Sequence, residues 1–215
     1  PYADSHHYIH TAERVARGRA KEEAHGAVWA RQFDNPANQQ IHYDTTGAEI
    51  WEQTEGKVDG FICAVGTGGT LTGVAAALRE RNPAVKIGLA DPMGSSLYSY
   101  INTGELHAEG ESIAEGIGVS FVPGNLQGLE VDFSCQVDDD DALPHIFELL
   151  KDEGISIGGS AGINVAGSVA MAQEMGPGHT IVTILCDAGS RYQSKLFNPE
   201  FLWKHKLPYP EWMAN

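Results

Sequence analysis

The residues most suited to chemistry form a loop, Gly66-Thr67-Gly68-Gly69-Thr70, between an apolar run and a helical pattern. Glycines allow the backbone to turn tightly, so that several N–H groups can approach one anion. The positive end of the following helix and the hydroxyls of Thr67 and Thr70 offer further favourable interactions. We therefore predict that this phosphate loop binds a phosphate group. The simpler alternative is a tight strand-to-helix turn that binds nothing.

The glycine spacing indicates which kind of phosphate fits. A dinucleotide-binding motif requires G-x-G-x-x-G and an acidic residue after the next strand. Asp91 stands at about the expected distance, but Leu71 occupies the position of the third glycine. A P-loop is also disfavoured, because no Lys-Ser/Thr pair follows the glycines. The short loop favours a single phosphate over a pyrophosphate.

A second glycine-rich segment, Gly158–Gly162, also joins a strand pattern to a helix pattern. In this serine loop, the Ser160 hydroxyl could hydrogen-bond a heterocyclic nitrogen without charging it. The two loops could thus hold the two ends of one cofactor. The same segment matches the G-x-S-x-G nucleophile elbow of α/β-hydrolases, and Asp187 and His205 follow in the required order. That alternative leaves the phosphate loop without a role, and we find no HGGG-type oxyanion segment.

Apolar strand patterns alternate with helical patterns along most of the chain, which predicts an α/β fold with a mostly parallel sheet flanked by helices. Upstream, we predict a helix from Ala3 to about His25, a short strand (GAVWARQF) ending near Gln32, and a helix opening at Thr45. We assign residues 1–35 to the remainder of a smaller N-terminal domain and residues 36–215 to a large α/β domain. The opening helix follows no strand, so we expect the N-terminal part of a longer protein to be absent.

The composition limits the partners. The 215 residues are 42% hydrophobic and 20% charged, with a formal net charge of −15, which disfavours nucleic acid and anionic membranes. No apolar run could span a bilayer and no signal peptide is recognisable, so we expect a soluble, cytoplasmic protein. Cys63, Cys135 and Cys186 are interpreted as buried free thiols, and no metal site is predicted.

Five segments occur in the order typical of one enzyme family. They are Gln32-Phe33-Asp34-Asn35-Pro36-Ala37-Asn38, Thr45-Thr46-Gly47-x-Glu49-Ile50-Trp51, Gly66-Thr67-Gly68-Gly69-Thr70-x-Thr72-Gly73, Glu115-Gly116-Ile117-Gly118 and Gly158-Gly159-Ser160-Ala161-Gly162. Together they resemble cysteine synthase (O-acetylserine sulfhydrylase), a member of the fold-type II enzymes that depend on pyridoxal 5′-phosphate (PLP). The fold implied by this resemblance is like that of the tryptophan synthase β subunit.

The resemblance implies a role for each segment. The residues Gly66, Thr67, Gly68, Gly69 and Thr70 would hold the PLP phosphate, and Ser160 would hydrogen-bond the pyridine nitrogen. Gln32 would contact the substrate carboxylate, and Gly116 would line the pocket entrance. The implied reaction makes L-cysteine from O-acetyl-L-serine and sulfide in a homodimer. Serine acetyltransferase is the implied protein partner.

Two departures from the family pattern affect these expectations. The lysine that bonds PLP belongs to an N-terminal stretch that these residues do not include, so we assign no catalytic residue and expect this segment alone to be inactive. The lysines outside the family's context are Lys21, Lys57, Lys86, Lys151, Lys195, Lys204 and Lys206. Cys186-Asp187 stands where many relatives carry Pro-Ser. A cystathionine β-synthase-like enzyme using serine and homocysteine, and an inactive scaffold that binds serine acetyltransferase, stay open as alternatives.

Overall fold

The computed structural model describes Tyr2 and residues 4–213. Eight α-helices and four β-strands are found in that part of the chain. In chain order they are α1 (Tyr8–Glu22), α2 (Pro36–Ile41), α3 (Gly47–Gln53), β1 (Gly60–Cys63), α4 (Gly69–Arg81), β2 (Lys86–Pro92), α5 (Leu97–Thr103), β3 (Phe133–Val137), α6 (Asp139–Glu153), α7 (Gly159–Met175), β4 (Ile181–Val182) and α8 (Pro199–Lys204). A π-helical turn, His42–Thr46, joins α2 to α3. No helix in the described residues is long and apolar enough to cross a membrane.

The four strands form one parallel sheet in the order β3-β2-β1-β4. Phe61 of β1 lies between Ile87 of β2 and Val182 of β4. The central strands are buried on both faces, which explains why their sequences are almost continuously apolar. The predicted α/β class with a parallel sheet is confirmed.

Helices cover both faces of the sheet, and alternate residues of β1 serve the two faces. Phe61 belongs to the buried cluster that includes Leu71 of α4, whereas Ile62 packs in the cluster of Ile163 and Met171 on α7. This alternation is the two-residue period of a strand. α4 and α7 therefore lie on opposite faces of the sheet. Their N-termini lie at the same edge, where the carboxyl ends of the strands are found.

Some predicted boundaries are wrong. The helix predicted to open at Thr45 is α3, which begins at Gly47, and helical structure already starts with α2 at Pro36. There the Asn35 side chain accepts a hydrogen bond from the Ala37 backbone N–H (3.0 Å), and proline suits the first helical position. The predicted strand that ends near Gln32 does not form. It pairs with none of the described strands, and Val28 is 94% exposed. An apolar segment forms a strand only when an adjacent strand supplies hydrogen-bond partners for its backbone.

Candidate functional site

A cavity of about 510 Å³ lies at the carboxyl edge of the sheet, within the ~300–1,000 Å³ range of small-molecule sites. Six of the eight predicted site residues line it, namely Gly66, Thr67, Gly68, Thr70, Gly116 and Ser160. Gly69 opens α4 and does not line the cavity. Gln32 is exposed and lines a separate cavity of about 240 Å³ beside Tyr8 and Trp29. The tertiary structure therefore brings the two glycine-rich loops and Gly116 together, but not the Gln32 side chain.

The glycines of the phosphate loop are required by close contacts. A Cβ atom on Gly66 would lie 2.5 Å from the carbonyl oxygen of Gly116. Gly68 has a φ of +85°, in the left-handed region, and a Cβ there would lie 2.8 Å from the Leu126 side chain. Without these Cβ atoms, the loop can present its backbone N–H groups and the start of α4 to the cavity.

The two threonine hydroxyls of the phosphate loop are oriented by side chains of the helical segment before β1. Thr67 Oγ1 accepts a hydrogen bond from Asn38 Nδ2 (3.0 Å), so the Thr67 hydroxyl proton is free to donate into the cavity. Thr70 Oγ1 lies 3.1 Å from His42 Nε2, and His42 Nδ1 lies 2.9 Å from Thr46 Oγ1. Burial lowers the pKa of His42, which favours a neutral imidazole between the two threonines.

A pair of asparagine side chains connects the phosphate loop to Gln32. The Gln32 carbonyl oxygen accepts hydrogen bonds from Asn38 Nδ2 (2.7 Å) and Asn125 Nδ2 (2.8 Å). The same Asn125 amide group lies 3.2 Å from the carbonyl oxygen of Thr67. Asn38, Asn125 and His42 were not among the site residues predicted from the sequence. The spacing of Asn38 and His42 on one helical face was an available signal, but nothing local marked Asn125.

Gly116 lies in a segment, residues 115–117, that lines the cavity. Its φ of +80° requires glycine, although a Cβ there would meet nothing within 4 Å. The adjacent Gly118 N–H donates to the Val65 carbonyl oxygen (2.9 Å), which ties this segment to the end of β1. Glu115 forms an ion pair with Lys195, and this pair connects the segment to the C-terminal part of the chain.

Ser160 lies in the first turn of α7 and is only 4% exposed. One turn further along α7, Asn164 is buried, and its side chain satisfies two diverging backbone segments. Asn164 Oδ1 accepts from the Ala64 N–H (2.7 Å), and Nδ2 donates to the Ile184 carbonyl oxygen (2.7 Å). β1 and β4 pair only at their first residues and then diverge, which leaves a crevice in front of Ser160. Asn164 supplies the hydrogen bonds that the two diverging backbones no longer make to each other.

Four further side chains from the segment after β4 line the cavity: Cys186, Asp187, Arg191 and Tyr192. The Tyr192 hydroxyl donates a hydrogen bond to Asp187 Oδ2, and this interaction raises the pKa of Tyr192 to about 12. Cys186 lies beside Ser160, and desolvation of its sulfur raises the pKa of the thiol, although the residue as a whole is exposed. The interpretation of three buried thiols is wrong for Cys186, which is exposed, and Cys135 is half-buried.

The hydrolase alternative requires a histidine near Ser160. Ser160 and Asp187 do line one cavity, but His205 does not. His205 follows α8, stacks on the Phe201 ring at 4.1 Å between centroids, and its Nδ1 lies 2.8 Å from the Phe201 carbonyl oxygen. The three residues therefore do not form a catalytic triad in this structure.

The cavity fits a molecule with a phosphate at one end and an aromatic nitrogen at the other. The phosphate loop contains no acid, and its glycines allow close packing against Gly116 and Leu126. The Thr67 hydroxyl, which accepts from Asn38, can still donate its own proton. At the α7 end, Ser160 supplies a hydroxyl that can donate or accept. These features match the phosphate and the pyridine nitrogen of PLP.

Comparison with known proteins agrees with this chemistry. Residues 3–187 match the model of the family described as pyridoxal-phosphate dependent enzyme, and the chain belongs to that family. The cofactor expected from the sequence resemblance is the cofactor of this family, which confirms that expectation.

Among its relatives, the chain is 38% identical to cysteine synthase 2 of Schizosaccharomyces pombe over 222 residues, covering 96% of this chain and 56% of that protein. It is 43% identical to cysteine synthase 1 of Emericella nidulans over 200 residues, covering 91% and 53%. The O-acetylserine dependent cystathionine beta-synthase of Helicobacter pylori superposes with a TM-score of 0.77 at 28% identity, covering 90% of this chain and 60% of that one. The chain spans about half the length of the curated relatives it matches. The expected fold-type II architecture and family are confirmed.

Proposed function

We propose that the full-length protein is a cysteine synthase, which uses PLP to make L-cysteine from O-acetyl-L-serine and sulfide and releases acetate. The observation that carries this proposal is that both loops line one cavity. Hydrogen-bond donors suited to a phosphate lie at one end of it, and Ser160 lies at the other. The relatives named cysteine synthase, at 38% and 43% identity, support the choice of reaction.

When it is bound, PLP supplies the electron sink for the reaction. The chain's own residues bind and orient. In this proposal the phosphate loop binds the phosphate and Ser160 hydrogen-bonds the pyridine nitrogen. Gln32, which lines a separate cavity in this structure, would turn toward the site to contact the substrate carboxylate. Asn38 and Asn125 support this arrangement, because they hold both the Gln32 carbonyl and the phosphate loop, so that substrate and cofactor contacts would be positioned together.

The test is a comparison of substrate pairs with the full-length protein loaded with PLP. We expect cysteine from O-acetylserine and sulfide, measured by chromatography of the products. The second candidate is a cystathionine β-synthase-like activity, favoured by the 28% identity to the Helicobacter pylori enzyme. Cystathionine formed from homocysteine with serine or O-acetylserine, without cysteine from sulfide, would establish that candidate instead.

The non-enzymatic alternative is a scaffold that binds serine acetyltransferase. A full-length protein that takes up no PLP, but binds serine acetyltransferase in a pull-down, would favour the scaffold. We also propose that the active enzyme is a homodimer in the cytoplasm. Sedimentation of the full-length protein and fractionation of the cells that produce it would check these two points.

A further inference from the structure

Asp139 is the first residue of α6 and is only 7% exposed, whereas its neighbours Asp138 and Asp140 are exposed. The cap of α6 is supplied by Asp138, whose side chain accepts a hydrogen bond from the Asp140 N–H (3.0 Å). Burial and the neighbouring charges of Asp138 and Asp140 raise the pKa of Asp139, so its carboxylate lies in the interior at a cost. The start of α6 therefore does not require the Asp139 side chain, and another role has to explain its burial.

The Asp139 carboxylate binds a turn that lies 26 and 27 positions earlier in the chain. Its Oδ1 accepts a hydrogen bond from the Ser112 hydroxyl (2.7 Å), and its Oδ2 accepts one from the Ile113 N–H (2.8 Å). The Ser112 oxygen in turn accepts from the Ala114 N–H (3.1 Å). Hydrogen bonds to an ionised acceptor are roughly twice as strong as those between neutral groups, so two of them fix both the position and the orientation of this turn.

The turn opens a bridging segment, residues 112–117, that touches both glycine-rich loops. The Gly116 carbonyl oxygen lies 2.5 Å from the position of a Cβ on Gly66, at the phosphate loop. Ala114 Cα lies 3.4 Å from the position of a Cβ on Gly159, at the serine loop. Residues 115–117 line the cavity between the two loops. A displacement of the bridging segment would therefore change the cavity at both ends.

Asp139 is the main anchor of the bridging segment. In the part of the chain that the structure describes, the only hydrogen bond from the backbone of residues 112–117 to a residue outside the segment is the one from Ile113 to Asp139. The ion pair of Glu115 with Lys195 is largely exposed, and exposed pairs contribute little to stability.

We propose that Asp139 is a positioning residue, which holds the bridging segment against the phosphate loop and the serine loop and so sets the shape of the cavity for PLP. The inference rests on the proposed function for the identity of the bound molecule. Without the Asp139 carboxylate, the Ser112 hydroxyl and the Ile113 N–H lose their acceptor. The bridging segment can then move away from both loops, and the contacts to the cofactor loosen together.

The first test is amide hydrogen exchange of the full-length protein without PLP, measured by mass spectrometry on peptides that cover residues 112–118. Asp139→Ala should raise the exchange rate of the Ile113 amide at least about tenfold, because the amide loses its acceptor. Asp138→Ala is the matched control, since it removes the cap of α6 and leaves the acceptor of Ile113 in place. This control should lower thermal stability but change the exchange rate of the Ile113 amide less than about twofold.

The second test uses the bound cofactor. Asp139→Ala should weaken PLP binding about tenfold, because the cavity is no longer preorganised, and should reduce the circular dichroism of the PLP absorption band for each bound molecule. Asp139→Asn should retain most of both signals. Its amide oxygen can still accept from the Ile113 N–H, and its amide group can donate to the Ser112 oxygen. Asp138→Ala should leave both signals at the wild-type value.

Unchanged exchange of the Ile113 amide in Asp139→Ala would overturn the proposal, and so would equal effects of Asp138→Ala and Asp139→Ala on PLP. If Asp139→Ala does not fold, Ser112→Ala decides instead. It removes one of the two contacts to Asp139 and should raise exchange in residues 112–118 by a smaller factor, so unchanged exchange would again overturn the proposal. A wild-type protein that takes up no PLP would contradict the proposed function, whereas the exchange measurement decides the anchoring role of Asp139 without PLP.

Discussion

The phosphate loop and the serine loop occupy equivalent positions, each preceding a long helix at the carboxyl edge of the sheet, yet their glycines serve different purposes. In the phosphate loop, Gly68 adopts a left-handed conformation (φ +85°), so the backbone itself turns around the cavity. In the serine loop, Gly158 is extended (φ −87°, ψ 177°), and its missing Cβ makes room for the Asp187 and Tyr192 side chains. In one loop the glycine shapes the backbone around the cavity, whereas in the other it makes space for neighbouring side chains.

The chemistry of the two ends differs in the same way. The phosphate loop offers N–H groups and threonine hydroxyls, which suit a negative charge. The serine loop offers one hydroxyl and lies next to the Asp187 carboxylate, which suits a neutral or positive group. The comparison therefore predicts that substitutions at the phosphate loop weaken PLP binding more than matched substitutions at the serine loop.

The largest effect is expected from Gly66→Ala. The new methyl group would lie 2.5 Å from the Gly116 carbonyl oxygen, and backbone has to shift to relieve that contact. We expect PLP affinity to fall at least about 100-fold, since a shift of the loop misaligns several charge-assisted hydrogen bonds at once. Titration of the apoprotein with PLP, followed by absorbance, measures this change.

Gly159→Ala is the matched control in the serine loop. A Cβ there would meet its nearest atom, Ala114 Cα, at 3.4 Å, which is ordinary van der Waals contact. PLP affinity should stay within about threefold of wild type, because the added methyl group makes only ordinary contacts in the packed interior and requires no backbone shift. Equal losses of PLP affinity in Gly66→Ala and Gly159→Ala would contradict the predicted difference between the two loops.

A smaller effect is expected from Thr67→Val, which removes one hydroxyl of the phosphate loop and keeps its shape. Hydrogen bonds to charged groups contribute about 1.5–3 kcal/mol, so PLP affinity should fall about 10- to 100-fold. Thr72→Val is the control, because the Thr72 hydroxyl is buried on α4 and has no hydrogen-bond partner among the described residues. We expect Thr72→Val to leave affinity unchanged and thermal stability unchanged or higher, which calorimetry would verify.

Ser160→Ala should weaken PLP binding by about tenfold or less, since a hydrogen bond between neutral partners contributes about 0.5–1.5 kcal/mol. The same PLP titration gives the value. If Ser160→Ala weakened PLP binding as much as Thr67→Val or more, the prediction that the phosphate loop contributes more to PLP affinity would be wrong.

The smallest effect concerns a third strand-to-helix junction, after β2, which has no glycine-rich loop. Asp91 is fully buried there, and its Oδ2 accepts a hydrogen bond from the Tyr98 N–H (2.8 Å). Burial raises the pKa of Asp91 to about 6, above its unfolded value near 3.9. The stability that Asp91 contributes is therefore full below the unfolded pKa and is lost as pH rises through about 6.

Between pH 5 and pH 7, ionisation of the buried Asp91 carboxyl should lower the free energy of unfolding by about 1 kcal/mol. Urea denaturation of the full-length protein at several pH values measures this slope. Asp91→Asn should reduce it, while Asp152→Asn, at an exposed position of α6, should not. An unchanged slope in Asp91→Asn would show that another group titrates in this range.

Sequence patterns predicted the elements whose signals are local. The apolar runs of β1 and β2 and the glycine-rich loops that precede α4 and α7 were recognisable in advance. The wrong predictions fell where a distant partner decides the outcome. The run ending near Gln32 has strand composition but no neighbouring strand among the described elements, and β4 is only two residues long because it diverges from β1.

The sequence by itself determined the two glycine-rich loops, the threonines and Ser160, because glycine conformation and hydroxyl chemistry are properties of short segments. Only the tertiary structure decided which side chains surround them. Asn125 reaches Thr67 across 58 positions of the chain, and Asp187 meets the serine loop after a helix and a strand. Such contacts depend on the packing of α7 and the divergence of β1 and β4, which no local pattern encodes.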